Sequence, residues 1–390
     1  MKKTLAAVAV LGAFAGSALA ADVTLYGVID TGLNWTQTKV TGQDTKDSFS
    51  MASGQNSGPR FGLKGTEDLG NGYKVGFNLE NSFKSDTGSL DKGSRLFHRE
   101  ALVYVQSPFG ELSMGRTGAL DAGTGRYNLM GSGATAMGTG LDAIGKSTKI
   151  LLGTGDRMDN TITYATPTFA GVTVYAQASL KKDGTQADKA ATTTPTVEPA
   201  KVYTEGSSDA DRYYALGAKF SADGLNAGLV VSMNDYSRND MKKDYDDGYT
   251  VSGFVNYDFG MVQPMFAAQY WDNGKVGTYT AATATDALKI ANTTGYGFVI
   301  GAKAPVLGGL VKVTGGWNDF EAADSVKPTG LNDFEGNNWM VGVSYEYKLS
   351  KRTMVYTGAG YTEEELKFTG NTPKIKTKTS EVLFGLVHTF

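Results

Sequence analysis

Residues 117–157 read TGALDAGTGRYNLMGSGATAMGTGLDAIGKSTKILLGTGDR. Ten glycines punctuate the stretch (Gly118, Gly123, Gly125, Gly131, Gly133, Gly138, Gly140, Gly145, Gly153 and Gly155). It shows neither the period-2 alternation of a strand nor a sustained 3.6-residue stripe. Its flanks do alternate: GELSMGR (Gly110 to Arg116) precedes it, and DNTITYA (Asp159 to Ala165) and GVTVYAQASL (Gly171 to Leu180) follow. A loop of about 40 residues without strands of its own is rare in a compact domain and is usually functional or disordered. Held between two strands of an alternating sheet, such an insert can fold back into the mouth of a barrel and narrow it. The stretch is therefore read as the constriction of a pore.

Working outward, several segments alternate cleanly enough to assign faces. Val172, Val174, Ala176 and Ala178 oppose Thr173, Tyr175, Gln177 and Ser179; Leu225, Ala227, Leu229, Val231 and Met233 oppose Asn226, Gly228, Ser232 and Asn234, with Val230 the exception. Tyr249 to Tyr257 and Asn338 to Tyr347 repeat the pattern. A soluble sandwich alternates in the same way. Aromatic placement and loop length discriminate. Aromatic rings recur near strand ends, as at Tyr257 and Phe259, Tyr270 and Trp271, and Tyr345 and Tyr347, where they suit the two bilayer interfaces.

Connections alternate between short and long. Seven are turns: Leu69 to Gly72, Ser107 to Gly110, Thr166 to Gly171, Ser221 to Gly224, Asp258 to Gly260, Pro305 to Gly309 and Lys348 to Lys351. Eight are longer polar stretches: Gln37 to Gly58, Lys84 to Arg95, the glycine-rich loop, Lys181 to Asp211, Tyr236 to Asp246, Asp272 to Asn292, Glu321 to Glu335 and Glu364 to Lys376. Seven turns and eight loops join sixteen strands, with both termini on the turn side. This predicts an all-β fold, a 16-stranded antiparallel transmembrane β-barrel whose third loop folds inward.

Targeting and composition agree. Lys2 and Lys3, an apolar run from Leu5 to Ala15, and Ser17, Ala18, Leu19, Ala20 describe a signal peptide over residues 1–20, leaving 21–390 as the barrel domain. No later segment approaches the roughly 18 consecutive apolar residues of a membrane helix. Lysine and arginine number 37 against 40 acidic residues, so loss of Lys2 and Lys3 takes the formal charge from -3 to -5. That balance gives no footing for nucleic acid. An exported chain without cysteine has no disulfide framework, and 51 glycines, 20 tyrosines and only 9 prolines suit many strands joined by tight turns. The terminal TSEVLFGLVHTF places Val382, Phe384 and Leu386 on one face and ends on Phe390, as expected for a last strand that closes onto the first.

Motifs of chemistry are weak. Gly140 to Ser147 matches G-x-x-x-x-G-K-[ST], yet no apolar strand precedes it, the following TKILLGTGD is too short and glycine-broken for a supporting helix, and export removes it from ATP. Asp244, Asp246 and Asp247 before Gly248 lack the glutamate that completes a calcium loop. His98 and His388 are the two histidines, far apart and without cysteine partners, which disfavours a transition-metal site or a histidine triad. No enzyme activity, metal or cofactor is expected.

DVTLYGVIDTGLNW, PRFGLKGTEDLGNGYKVGFNLENSF, LFHREALVYVQSPFGELSMGR, YKLSKRTMVYTGAGY and the final GLVHTF, taken in order, resemble the beta-proteobacterial branch of the Gram-negative general porins. The resemblance spans nearly all of the chain after residue 20. It implies a homotrimer in the cell outer membrane, embedded in its lipid, whose third loop folds inward opposite a ladder of arginines. Carried over, those arginines are Arg60, Arg99 and Arg157. Parity supports two of them: Phe61 and Leu63 facing lipid put Arg60 and Lys64 inside, and Ile162 and Tyr164 facing lipid put Asp159 and Arg157 inside. Ala101, Val103 and Val105 share the face of Arg99 and leave its parity ambiguous. In an alternative role these arginines pair with acidic loop residues and pin the wall.

The function expected is passive diffusion of small hydrophilic solutes and ions through a water-filled channel. Lumen width and lining charge would set its selectivity. Loop charges more than about 8 Å from the path are largely screened. Arg60, Arg99 and Arg157, with Lys64 and Lys74 nearby by parity, should outweigh Asp121 and Asp142 on the third loop, giving weak anion selectivity. Two rival readings, a surface adhesin anchored by a barrel and an outer-membrane barrel enzyme, predict no large ohmic conductance steps.

Overall fold

Alternating strands expose one face and bury the other, and here the faces are inverted relative to a soluble protein. Leu216, Leu229, Val251, Val341 and Phe384 point outward and are exposed, while Thr163, Ser252, Asn256, Gln269 and Ser344 are buried inside. An exposed apolar band around a closed sheet requires hydrocarbon as its solvent. The computed structural model describes residues 23–92, 95–137, 141, 150–151, 157–182, 205, 210–236, 246–274, 292–324, 334–368 and 374–390. The expected signal peptide and Asp142 lie outside the described residues.

The strands are β1 (Thr24–Val40), β2 (Lys46–Ser53), β3 (Arg60–Gly70), β4 (Tyr73–Ser82), β5 (Glu100–Ser107), β6 (Gly110–Gly118), β7 (Arg157–Ala165), β8 (Val172–Ser179) and β9 (Arg212–Ala222). There follow β10 (Leu225–Asp235), β11 (Gly248–Tyr257), β12 (Gln263–Gly274), β13 (Thr293–Val306), β14 (Gly309–Ala322), β15 (Phe334–Lys348), β16 (Thr353–Phe368) and β17 (Ile375–Thr389). Every neighbouring pair is antiparallel, and β1 pairs with β17 from Val28 opposite Thr389 to Val40 opposite Thr377, which closes the ring. The Gly27 and Phe390 backbones exchange two hydrogen bonds of 3.1 Å at that seam. β2 and β3 share one place in the ring: β2 pairs with Thr31–Thr38 of β1 and β3 with Thr24–Val28, with residues 54–59 inserted between them. Seventeen segments thus build sixteen staves.

The seven short connections fall where the sequence places them. Asn71 and Asp223 each adopt a positive φ ahead of a glycine that does the same, the backbone that a two-residue hairpin turn requires. Outward ring pairs sit near both ends of the staves: Tyr257 and Phe259 lie 4.5 Å apart by the turns, and Trp339 and Tyr361 lie 5.0 Å apart toward the loops.

Two expected loops are largely strand. Gln37 to Gly58 contains the end of β1 and all of β2, and Glu364 to Lys376 contributes to β16 and β17. In the second of these the physical reason is cross-strand charge pairing. Lys376 lies 2.9 Å from both Glu363 and Glu365, and Lys378 lies 3.6 Å from Glu363, so opposite charges extend the ladder where apolar residues no longer do.

Candidate pore constriction

The third loop leaves β6 after Gly118 and returns at Arg157, and its described part lies inside the barrel. Leu120, Leu129, Met130, Ala134, Ile150 and Leu151 pack against inward residues of the wall from β9 to β15: Tyr213, Ala215, Val230, Phe254, Ala267, Val299 and Met340. Val230, the exception to the alternation of β10, is fully buried in this contact. Phe254 and Met340 likewise stand on otherwise polar faces. Apolar residues on the wet side of a barrel are the sequence signal for the seat of the loop. A short helix, α1 (Gly131–Ala134), interrupts the loop.

Close approach explains two glycines. A Cβ at Gly133 would stand 2.4 Å from the Phe254 ring, and one at Gly297 of β13 would stand 2.4 Å from the Ile150 carbonyl oxygen. Polar bonds fix the same surface: Asn256 donates to the Gly133 carbonyl at 2.9 Å and Asn318 to that of Ile150 at 3.2 Å. At the base, the Leu120 amide donates to Gln177 Oε1 at 3.0 Å.

Asp121 belongs to this anchoring. Its carboxylate accepts hydrogen bonds from the Tyr213 hydroxyl at 2.9 Å and the Ser232 hydroxyl at 2.7 Å, and the residue is buried. A carboxylate out of water needs such donors, and these two pin the loop base to β9 and β10. Its side chain therefore does not face the arginines.

Across the lumen, β3 to β7 carry the basic wall. Arg60 opens β3 and lies 3.6 Å from Glu80 of β4; Arg99 lies 2.5 Å from the same carboxylate. Arg99 precedes β5, so the alternation that puts Val103 and Val105 outside does not constrain it. Its chain is free to turn inward, which resolves the ambiguous parity. Arg157, at the start of β7, is in the electrostatic range of Arg99, Glu80 and Glu100, and its Nε is buried without a hydrogen-bond partner among the described residues.

Other charged residues join the same wall. Arg95 and Arg116 both bind Asp159, with Nη to Oδ1 distances of 2.7 Å. Glu100 accepts from Thr117 at 3.0 Å, and Arg126 of the third loop binds Glu111 at 2.6 Å. Arg95, Arg116, Glu80 and Glu100 were not singled out from sequence. Glu80 and Glu100 were legible as inward members of alternating strands, whereas Arg95 lies in a connection with no periodicity. Burial, with Arg116 and Arg157 beside it, pushes the His98 imidazole down to about 4.

The two lysines differ. Lys64 is inward on β3 and stands over the Tyr26 ring, 5.2 Å from its centroid. Lys74 is not brought to the arginines. It lies by the turn between β3 and β4, paired with Asp68 at 3.8 Å, and six residues from Glu80 along β4 is about 20 Å of strand. Of the glycine-rich phosphate-type motif only Leu141 is described, and Asp244 is outside the described residues. No group of three or more potential metal ligands occurs among the described residues.

A closed barrel with an apolar exterior, a loop seated inside and a charged wall opposite it defines a membrane diffusion channel. The chain belongs to the Gram-negative porins, whose family profile matches residues 6–366. It is 32% identical to an outer membrane porin protein of Bordetella pertussis over 93% of this chain and 94% of the relative. It is also 33% identical to outer membrane porin protein 32 of Delftia acidovorans, over 44% of this chain and 47% of that one. In fold it resembles an anion-selective porin from Comamonas acidovorans, with a TM-score of 0.62 at 22% identity, covering 95% of this chain and all of the other. The protein is thus an outer-membrane porin, a channel for passive diffusion.

Proposed function

We propose that this porin is a weakly anion-selective homotrimeric channel without enzymatic activity, formed by residues 21–390 after removal of residues 1–20, and that the path narrows between the third loop and the wall bearing Arg60, Arg99 and Arg157. The observation that carries the selectivity is the balance of charge on that wall. Arg60, Arg95, Arg99, Arg116 and Arg157 stand with Glu80, Glu100 and Asp159, an excess of two positive charges to which Lys64 adds. Arg126 and Glu111 cancel. Asp121 is turned to the far wall and offsets little of this.

Net charge of the whole chain does not oppose the reading, because ions in transit respond to charges within about a Debye length of 8 Å. The relatives' names point the same way: the Comamonas acidovorans protein is described as anion-selective, and a Vibrio cholerae outer membrane protein of related fold was solved in a trimer form. The test is single-channel recording of the purified protein in planar bilayers, followed by the zero-current potential across a potassium chloride gradient. Ohmic steps with a potential on the chloride side are expected. A protein that gives no steps, or a potential on the potassium side, would end the proposal.

A further inference from the structure

We propose that residues 54–59 form a second inward-folded segment that seats the tip of the third loop and steadies Arg60, with Asp30 as the positioning residue that holds the segment in place. The inference rests on the channel reading above and deepens it.

The observation begins with the sheet. On β1, the partner changes from β2 at Thr31 to β3 at Val28, so only Ile29 and Asp30 lie opposite the six residues from Gly54 to Pro59. A hairpin needs no such insert, and ordering extra residues costs conformational entropy. The segment leaves the wall and enters the lumen, where it makes four kinds of contact. The Asn56 and Ser57 amides both donate to Asp30 Oδ2 at 2.7 Å, and the Tyr356 hydroxyl donates to Oδ1 at 2.6 Å. The Gln55 carbonyl accepts the Leu141 amide of the third loop. The Gly58 carbonyl accepts Arg60 Nη1 at 3.0 Å. Asn56 Nδ2 donates to Glu346 of β15 at 2.7 Å.

Asp30 is fully buried and pairs with no lysine or arginine among the described residues; hydroxyl and amide donors alone satisfy it. Two successive amides aimed at one carboxylate oxygen make a small anion-binding concavity, and charge-assisted bonds of this length are about twice as strong as neutral ones. Beside them, Met137 and Leu141 of the third loop pack with Val28, Tyr356, Leu383 and Val387. The third loop is therefore held at two ends by different chemistry. Its base is bonded to β9 and β10 through Asp121, and its tip is clamped through a segment whose conformation depends on Asp30. The same segment touches the arginine wall, so one carboxylate fixes both sides of the passage.

The test uses full-length trimers in planar bilayers. Asp30→Ala is expected to retain an SDS-resistant trimer while its single conductance level is replaced by several, and its zero-current potential shifts because Arg60 loses the Gly58 carbonyl. The chain lacks cysteine, so Gln55→Cys with Leu141→Cys can replace the clamp covalently. In the Asp30→Ala background the oxidised pair should restore the single level, and reduction should abolish it again. Channels of Asp30→Ala with the original level and potential would overturn the inference, as would altered channels that the oxidised pair fails to restore, since that would make Asp30 a barrel-stabilising residue only. Should Asp30→Ala not assemble, Asp30→Asn and Tyr356→Phe decide on the same readouts, a shifted level supporting the clamp and an unchanged one refuting it. Absence of steps in the unmodified protein would instead refute the channel reading itself.

Discussion

Replacing Arg60 and Arg157 together by serine tests the electrostatics of the passage most directly. Arg60→Ser releases the Gly58 carbonyl, but no carboxylate is left without a partner. Glu80 keeps Arg99 at 2.5 Å when Arg60 is removed, and the Arg157 Nε has no partner to orphan among the described residues. The excess of two positive charges carried by the arginines falls to zero, which leaves Lys64. An ion passing about 7 Å from a unit charge in water-like surroundings feels about 0.6 kcal/mol, and salt with a Debye length of about 8 Å leaves a little under half of that. Two guanidinium groups thus favour an anion by about 0.5 kcal/mol and disfavour a cation by the same amount. The difference of about 1 kcal/mol corresponds to roughly a fivefold change in the anion-to-cation permeability ratio. The assay is the zero-current potential in a salt gradient, measured on trimers shown to be intact by their gel mobility. The potential should move toward the cation side by that ratio, and more strongly at low salt. An unchanged potential would show that these arginines only support the wall and that selectivity is set elsewhere.

Three further outcomes are expected. The unboiled protein should run as an SDS-resistant trimer and fall on heating to a monomer of about the mass of its sequence, because a barrel in lipid must keep its backbone groups paired; a monomeric band at all temperatures would contradict this. Phe390→Ala should lower outer-membrane assembly far more than Lys92→Ala in an exposed connection, since Phe390 pairs with Gly27 at the seam and its ring lies against that glycine; equal membrane levels of the two variants would remove the argument. His98 has its imidazole pushed down to about 4 from an ordinary value of 6.5, so it stays neutral as pH falls from 8 to 5, and the folded protein loses stability below about pH 6.5 as the unfolded chain alone takes up the proton. His98→Gln should therefore leave the zero-current potential at pH 5.5 unchanged, and a clear shift there would mean that the histidine is charged.

Legibility in the sequence followed the solvent. Where one face meets hydrocarbon and the other water, as at Val251 and Ser252, the period-2 pattern was plain and the staves were read correctly. Beyond the hydrocarbon both faces are wet, so β2 and the outer ends of β16 and β17 looked like polar loops, although Glu363 and Lys376 pair across them. The third loop was recognised by its glycines and missing periodicity. Its direction of packing was written in Val230, Phe254 and Met340, apolar residues that break the polar face. Arg99 came from resemblance and not from parity, because it stands just ahead of β5, where only its amide bonds to β4. Asp121 illustrates the limit of charge counting: an acid in the loop looked like a counter-charge to the arginines, but burial against Tyr213 and Ser232 makes it an anchor. Residues 54–59 were hidden inside one polar stretch, since nothing in their composition tells an inward segment from an outward one.

The seam between β1 and β17 also sets a clock. Most staves pair with the next stave in sequence, and such hairpins can form locally, but Val28 finds Thr389 only when nearly the whole chain has been ordered. Closing that span costs about 4 kcal/mol more chain entropy than closing a four-residue turn. Contacts this distant in sequence make folding slow. Until the seam zips, the growing sheet has two open edges and an apolar exterior, so the time spent before insertion, rather than the strength of the finished barrel, decides how much of the protein is lost to aggregation.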